Sequence, residues 1–587
     1  MQFATVTLVT PVVLAICLRH SGTVHEVGSI ESTWASRSAT ASSVAAEDAK
    51  VPLPKPIAVP PPPMGWSSWN SFSNTVNSEV VMRQAKAMIV SGLKEKGYRY
   101  INIDEGWWLG RRNQDGNIEV DRKQWPALAA DERPGDMSDI AKYIHSLGLK
   151  AGIYTDAGES GCGYYGPDLG PPEPDTGSEG HYDQDFLQFA KWGFDYVKVD
   201  WCGGNKENLD PAVQYREIAR AIANAEAPTG HRLFFSICDW GRNSPWTWAP
   251  GIGGGPRDIW RTSGDIVAPI VAGTPSGGRT ASFRRVLSNF DQGIHPEAQH
   301  TGFYNDPDMM VVGMRGLSDA EYRVHMTLWA ISGAPLIIGA DLTKLTKRTL
   351  TILTNQEVIA VDQDELGVQC IEVAEPVRGL QVWAKPLAGI GRRAVVLLNR
   401  TLSSARVAVR WREIGLLPSR AMVRDLWVQK DLGSYTSSYS AEIPAGDAEL
   451  LVISGREGNA TRYEAASEAN EFKGGAAPAR CRTCLGGQSV ALGGSKSLAF
   501  ENITSDHPFA YIQIGYINGS QRPLAAQLQV NGQDPTEVDF PPTGNQGSVG
   551  TVTVEVRLKK PRAKNALTFT SPRSSGLALD FVSVSPW

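Results

Sequence analysis

The sequence is poor in several features that mark particular chemistries. Seven cysteines in 587 residues are too few for a disulfide scaffold, although an exported chain can pair two or four of them. The nine histidines form no HExxH or HxH pair, so the nitrogen ligands of a catalytic zinc are missing. Neither charge sign dominates: the net charge is -5, which gives no reason to expect nucleic acid or an anionic membrane as partner. No glycine-rich phosphate loop precedes a helix; "GIGGGP" at 251–256 follows a Trp-rich loop and reads as a turn. Long apolar runs are absent beyond the first residues. Phe3 to Cys17 is apolar but too short to cross a bilayer comfortably. It reads as the core of a signal peptide over 1–25, with no Lys or Arg ahead of it, and so as a secreted or periplasmic protein.

What is present is ordinary in bulk, with 42% apolar and 20% charged residues, as in globular proteins generally. Tryptophan is abundant at 17, either to line sugar sites on loops or to fill a large core. Residues from about Ala35 to Pro63 are rich in Ser, Ala and Pro and end in "VPLPKPIAVPPPP", which reads as a stiff linker over 26–60 leading into the next block. From 61 to 365 strand candidates alternate with amphipathic stretches. The strands are "MGWSSW", "YRYINID", "LKAGIYTD", "DYVKVD", "LFFSICD", "DIWRTSGD", "GFYNDPDM" and "APLIIGAD". The alternation predicts an α/β fold, either a (β/α)8 barrel or a doubly wound open sheet. The number of strands, and a polar or acidic residue at nearly every strand end, favour the barrel. Residues 366–456 read as an antiparallel β-sandwich, and 457–587 as a second all-β module.

In a parallel barrel the strand C-termini form the active face. Read in order, they carry Trp69, Asp104, Glu105, Tyr154, Asp156, Lys198, Asp200, Asp239, Trp240, Arg261, Asp265, Asp306 and Asp308. Carboxylates and aromatics with one Lys and one Arg suit a neutral polyol or a divalent metal, and the absence of supporting histidine argues against the metal. Lys198 and Asp200 lie two apart on one strand and so point the same way. Either they form a structural ion pair, or Lys198 keeps a nucleophilic carboxylate ionised. Glycoside cleavage needs such a carboxylate and a second one that protonates the leaving oxygen.

The motifs "MGWSSWNSF", "INIDEGWW", "GLKAGIYTDAG", "DYVKVDWCGG", "SICDWG", "WRTSGDI", "YNDPDMM" and "VIAVDQDELG" resemble glycoside hydrolase family 27, the α-galactosidases and α-N-acetylgalactosaminidases. The resemblance implies a (β/α)8 barrel followed by an antiparallel β-domain. It implies Asp200 as nucleophile and Asp265 as acid/base, with no catalytic cofactor. Trp69, Asp104, Tyr154, Lys198, Arg261 and Asp308 match sugar-contacting positions, and Cys162 with Cys202 matches a family disulfide. The implied substrate is a terminal galactoside of plant-type oligo- or polysaccharides. Two departures bear on specificity. The family's "DD" is Asp104-Glu105 here, with Gly106 in place of its usual Cys, and its "CEW" is Cys238-Asp239-Trp240. The first site normally receives the 4- and 6-hydroxyl region of the sugar and the second its 2-hydroxyl. A longer acid at 105 reaches ~1.5 Å further, which either crowds C6 and favours a β-L-arabinopyranoside or is absorbed by a loop shift. A catalytically silent sugar-binding protein is the other class of function, and retention of Asp200 and Asp265 favours the enzyme.

The last block, through "YEAASEA", "CRTCLGGQSV", "YING", "VNG" and "LDFVSVSPW", resembles a family 35 carbohydrate-binding module. That resemblance implies a structural calcium between Glu464 and Asp580. The family's second Glu is Ala466 here, with Glu468 as a substitute. Cys481 and Cys484 read as a local disulfide or free thiols rather than a redox or zinc pair.

Overall fold

The computed structural model describes residues 60–128, 136–162, 176–250, 252, 258–267, 280–300, 302–458, 460–543, 547–572 and 576–585. The expected signal peptide and all but the end of the expected linker lie outside them.

Eight strands form the first sheet: β1 (Met64–Ser67), β2 (Tyr100–Asn102), β3 (Lys150–Asp156), β4 (Tyr196–Asp200), β5 (Phe234–Cys238), β6 (Asp258–Arg261), β7 (Phe303–Asp306) and β8 (Leu336–Ile338). Their order is β8-β1-β2-β3-β4-β5-β6-β7, with parallel pairing throughout. Met310, just past β7, bridges Ile338 in parallel fashion, and its N–H donates to the Ile337 carbonyl at 2.7 Å. The sheet therefore closes into a barrel, and the open-sheet alternative is set aside. Strands buried on both faces read as apolar runs rather than alternations, and "FFSIC" of β5 is buried throughout.

Helices pack outside the strands, and their starts are written in the sequence. Asn77 caps Ser78–Val90 by accepting from Val80 N–H, and Asp210 caps Pro211–Thr229. Ser318 and Glu321 form a reciprocal capping box on Asp319–Ser332. Each satisfies N–H groups that the first helical turn leaves open. The β5–β6 connection differs. Its described residues hold only a 3-10 turn, Pro245–Thr247, where regular alternation predicts a helix. The stretch from Pro245 to Pro256 carries three prolines and four glycines, and both residue types disfavour a helix interior.

The β-sandwich follows. A six-stranded antiparallel sheet has Leu380–Pro386, Arg392–Asn399 and Ala448–Ser454 side by side within it, and Ala405–Arg410 pairs with Ser438–Ile443 in a second sheet. The third block is built from two further sheets of six and five strands. It is docked, not tethered. Tyr511 lies in the sandwich core, and its hydroxyl donates to the Gln369 carbonyl at 2.6 Å. The Gln369 side chain in turn donates to Gly293 O and accepts from His295 N–H in the barrel.

Candidate active site

Parallel register sets the strand-end side chains against one another. Tyr154 pairs with Lys198 and Asp156 with Asp200; Asp200 pairs with Cys238, and Arg261 with Asp306. Lys198 Nζ lies 3.0 Å from Asp104 Oδ2 and 3.8 Å from Asp200 Oδ2, and 5.2 Å from the Tyr154 ring centroid. The ammonium is thus shared, and its nearer partner is Asp104, so a private Lys198–Asp200 pair is excluded. Burial works against the charge on Lys198, but Asp104 and Asp200 outweigh it and hold its pKa well above the usual value. Asp200 also accepts from the Tyr154 hydroxyl at 3.0 Å and from Trp201 N–H at 3.1 Å. Burial pushes its carboxyl up from the ordinary range, while Lys198 pulls it back down. Burial and the facing carboxylates raise the Tyr154 phenol, which stays a donor.

A second cluster is organised by Arg261, which is 4% exposed. Its guanidinium lies 3.0 Å from Asp265 Oδ1 and 3.1 Å from Asp308 Oδ1. Asp308 has φ 94°, a costly value for a residue with a Cβ. Three contacts hold it there: its N–H donates to Asp306, its carbonyl accepts from the Trp329 indole at 2.9 Å, and its Oδ2 accepts from Ile266 N–H at 2.8 Å. Asp265, by contrast, keeps 43% of its side chain exposed. Between the clusters, a cavity of ≈ 30 Å³ touches Asp104, Lys198, Cys238, Arg261 and Asp308, room enough for water to enter.

The remaining expected residues lie around the same mouth. Asp239 is fully buried; its Oδ1 accepts from Gly241 N–H at 3.1 Å, and burial pushes its carboxyl up to about 8. Its Oδ2 has no hydrogen-bond partner among the described residues, an acceptor that a sugar hydroxyl can satisfy. Trp240 follows at φ 57°, and Trp69 opens the short helix Trp69–Phe72. Glu105 is buried beside Asp104, which accepts from its N–H at 2.9 Å. A Cβ on Gly161 would meet Glu105 Oε1 at 3.2 Å and the Trp108 ring at 2.7 Å, so glycine there leaves room for the longer acid. Gly106 sits at φ 125°, where a Cβ would come within 2.9 Å of Asn74 backbone, so this loop does not accommodate the cysteine common in the resembling family.

Cys162 and Cys202 are bonded, and Cys162 Sγ lies 3.4 Å from Asp200 Oδ2. Asp156, which the sequence places at a strand end without a role, has a clear one in the structure. It is fully buried and accepts from Gly158, Cys202 and Gly203 N–H at 2.8, 2.7 and 3.0 Å. It thereby clamps the loop after β3 to the turn that follows the Asp200 strand. Burial and the nearby Asp200 push its carboxyl up to about 8. Its position at a strand end was the only sequence signal. Asp156, Cys162 and Cys202 converge within 4.8 Å, but both sulfurs are spent in the disulfide and cannot act as thiolate ligands.

A family model described as "Alpha galactosidase A" matches residues 61–364, more than half of the chain. The chain belongs to the α-galactosidase A family, a family of glycoside hydrolases. The family's "Alpha galactosidase C-terminal beta sandwich domain" matches 377–453. A probable α-galactosidase of Dictyostelium discoideum is 41% identical over 401 residues, covering 67% of this chain and 92% of the relative. An α-galactosidase of Oryza sativa subsp. japonica is 37% identical over 394 residues, covering 67% and 84%. The crystal structure of α-galactosidase I from Mortierella vinacea superposes with TM-score 0.58 at 32% identity, covering 68% of this chain and 98% of that one.

The last block of this α-galactosidase-family chain belongs to a different module family from the one its motifs resemble. Residues 499–582 match "Alpha-galactosidase, CBM13 domain", not a family 35 module. The calcium expectation came with the family 35 resemblance. Asp580 is buried, accepts from Leu485 N–H at 3.2 Å and leaves Oδ1 without a hydrogen-bond partner among the described residues; burial, with a smaller push from Glu464, raises its carboxyl to about 6, and Glu464 pairs with Phe581 in the adjacent strand. Among the described residues no group of three potential ligands includes Glu464, Glu468 or Asp580. Calcium takes six to eight oxygens, of which these carboxylates would supply only part. Cys481 and Cys484 form a local disulfide.

Asp156→Ala leaves three backbone N–H groups without their acceptor, at ~1–3 kcal/mol for each that stays buried. The unfolding free energy should fall by at least ~2 kcal/mol, and kcat should fall with it because the turn beside Asp200 is released. Denaturant melts that match the parent protein would show that Asp156 holds nothing.

Proposed function

We propose that this protein is a retaining exo-glycosidase that removes terminal α-D-galactosyl residues from oligo- or polysaccharides. The observation that carries the reading is the contrast between two carboxylates at one barrel mouth. Asp200 is buried and fixed by Tyr154, Trp201 and the shared Lys198, whereas Asp265 is half exposed on Arg261. A fixed carboxylate suits attack on the anomeric carbon; an exposed one suits proton exchange with leaving group and water. In the first step a carboxylate oxygen of Asp200 bonds to C1 as the glycosidic C–O bond breaks and Asp265 gives its proton to the leaving oxygen. In the second, Asp265 takes a proton from water, the water oxygen bonds to C1, and the Asp200–C1 bond breaks. Asp104 and Lys198 on one side, and Arg261, Asp308 and Asp239 on the other, receive sugar hydroxyls. Export is part of the proposal: the apolar segment at 3–17 and two disulfides both suit an oxidising compartment. Among the described residues no helix is long and apolar enough to cross a membrane.

Asp265→Ala tests the acid/base role. It should cut kcat/KM by about 100- to 10 000-fold on galactosides with poor leaving groups, and much less on activated aryl galactosides, which need no protonation. Equal loss on both would reduce Asp265 to a sugar contact.

Glu105 supports a second reading, β-L-arabinopyranosidase activity, because it is buried beside the Asp104 that meets Lys198. β-L-Arabinopyranose is α-D-galactopyranose without the C6 hydroxymethyl group. Glu105→Asp should raise the ratio of galactosidase to arabinopyranosidase kcat/KM by about 10- to 200-fold, the worth of one carbon in a fitted pocket. An unchanged ratio would place Glu105 away from C6 and leave the α-galactosidase reading alone.

A further inference from the structure

A cavity of ≈ 610 Å³ opens along the seam between the barrel flank and the C-terminal module. Arg216, Trp246, Trp248 and Glu297 line its barrel side, and Gln527 and Glu537 its module side. The opening follows from the β5–β6 connection. Where other connections lay a helix over the barrel, the described part of this one holds only the turn Pro245–Thr247, which sets two half-buried indoles at the flank.

Both indoles are fixed from behind. Trp246 stacks on His295 with centroids 3.6 Å apart and planes 9° from parallel. Trp248 stacks on Tyr215 at 5.8 Å and 21°, and its indole N–H donates to Asn243 O at 3.0 Å. On the module side, Gln527 Nε2 donates to Glu537 Oε2 at 2.6 Å. Such groups lose little conformational freedom when a ligand arrives. The cavity falls in the size range of small-molecule sites, and its aromatic walls with a few placed polar groups match their usual chemistry.

We propose that this seam is a second carbohydrate site, holding a neutral pyranose unit of the polysaccharide whose galactosyl group enters the active site. Ring C–H faces lie against the indoles, and hydroxyls meet Glu537, Glu297 and Gln527. Arg216 stands against Glu297, Asp534 and Glu537, a negative balance that disfavours phosphorylated or acidic sugars. The connection that carries Asp239 and Trp240 at the active-site mouth runs on to Trp246, so one chain segment serves both places. The choice of polymer rests on the α-galactosidase reading; the binding does not.

The test is affinity electrophoresis of the full chain through gels containing a neutral polysaccharide with terminal α-galactosyl groups, with excess free galactose present to fill the active site. The parent protein should remain retarded. Trp246→Ala should weaken apparent binding about 3- to 10-fold, the worth of one aromatic contact, and Glu537→Gln should weaken it also. Both should keep kcat/KM on p-nitrophenyl α-galactoside within about twofold. If Trp246→Ala melts early, Glu537→Gln and Trp246→Phe decide the matter. Loss of the parent's retardation in galactose, or variants retarded like the parent, overturns the proposal. A parent protein that fails to cleave the aryl galactoside counts against the activity and leaves the seam result standing.

Discussion

One ammonium group is the point on which the active site depends. Lys198 sits inside the barrel between Asp104 at 3.0 Å and Asp200 at 3.8 Å. Taking such charges out of water is expensive, and removing one partner leaves the others uncompensated. The strands around Lys198 must therefore keep their register. A slip of one residue would turn Lys198 and Asp200 away from the interior together. The Tyr154–Lys198 and Asp156–Asp200 pairings are the backbone side of the same constraint.

Around that point the fold divides labour by environment. The Asp200 side is dry and over-determined, with Tyr154, Trp201 N–H, the Cys162–Cys202 disulfide and the Asp156 clamp packed about it. The Arg261 side is built from a buried guanidinium that reaches outward to an exposed Asp265, with Asp308 held at a strained φ to complete the grip. Strain of this kind persists where neighbours enforce it, and here the neighbours are Trp329, Asp306 and Ile266. Two acids of one residue type thus meet different surroundings, as the proposed division into nucleophile and acid/base requires.

Much of this was legible because strand periodicity and strand-end position are local signals. The eight strands, the shared facing of Lys198 and Asp200, and the acids at the barrel mouth all follow from patterns within a few residues. What was not legible depends on three-dimensional convergence. Asp156 carries no local mark of its grip on Cys202 and Gly203. The nearer partner of Lys198 is Asp104, two residues past the end of β2, and strand periodicity shows only Asp200. Among the described residues the β5–β6 connection holds no helix, which the Pro and Gly content of 245–256 implies and the regularity of the alternation hides. The C-terminal block reads as the wrong module family because "YING" and "VNG" are Asn-Gly turn signals, which mark hairpins rather than one kind of β-module.

The central claim, that Asp200 is the nucleophile, is tested most directly by trapping. A 2-deoxy-2-fluoro galactosyl donor with an activated leaving group slows the second step, so the covalent intermediate accumulates. Peptide mass mapping of the inactivated protein should find one galactosyl adduct, on the peptide holding Asp200, and proton NMR of the normal reaction should show the retained anomer formed first. An inverted first product, or an adduct on another carboxylate, would contradict the account.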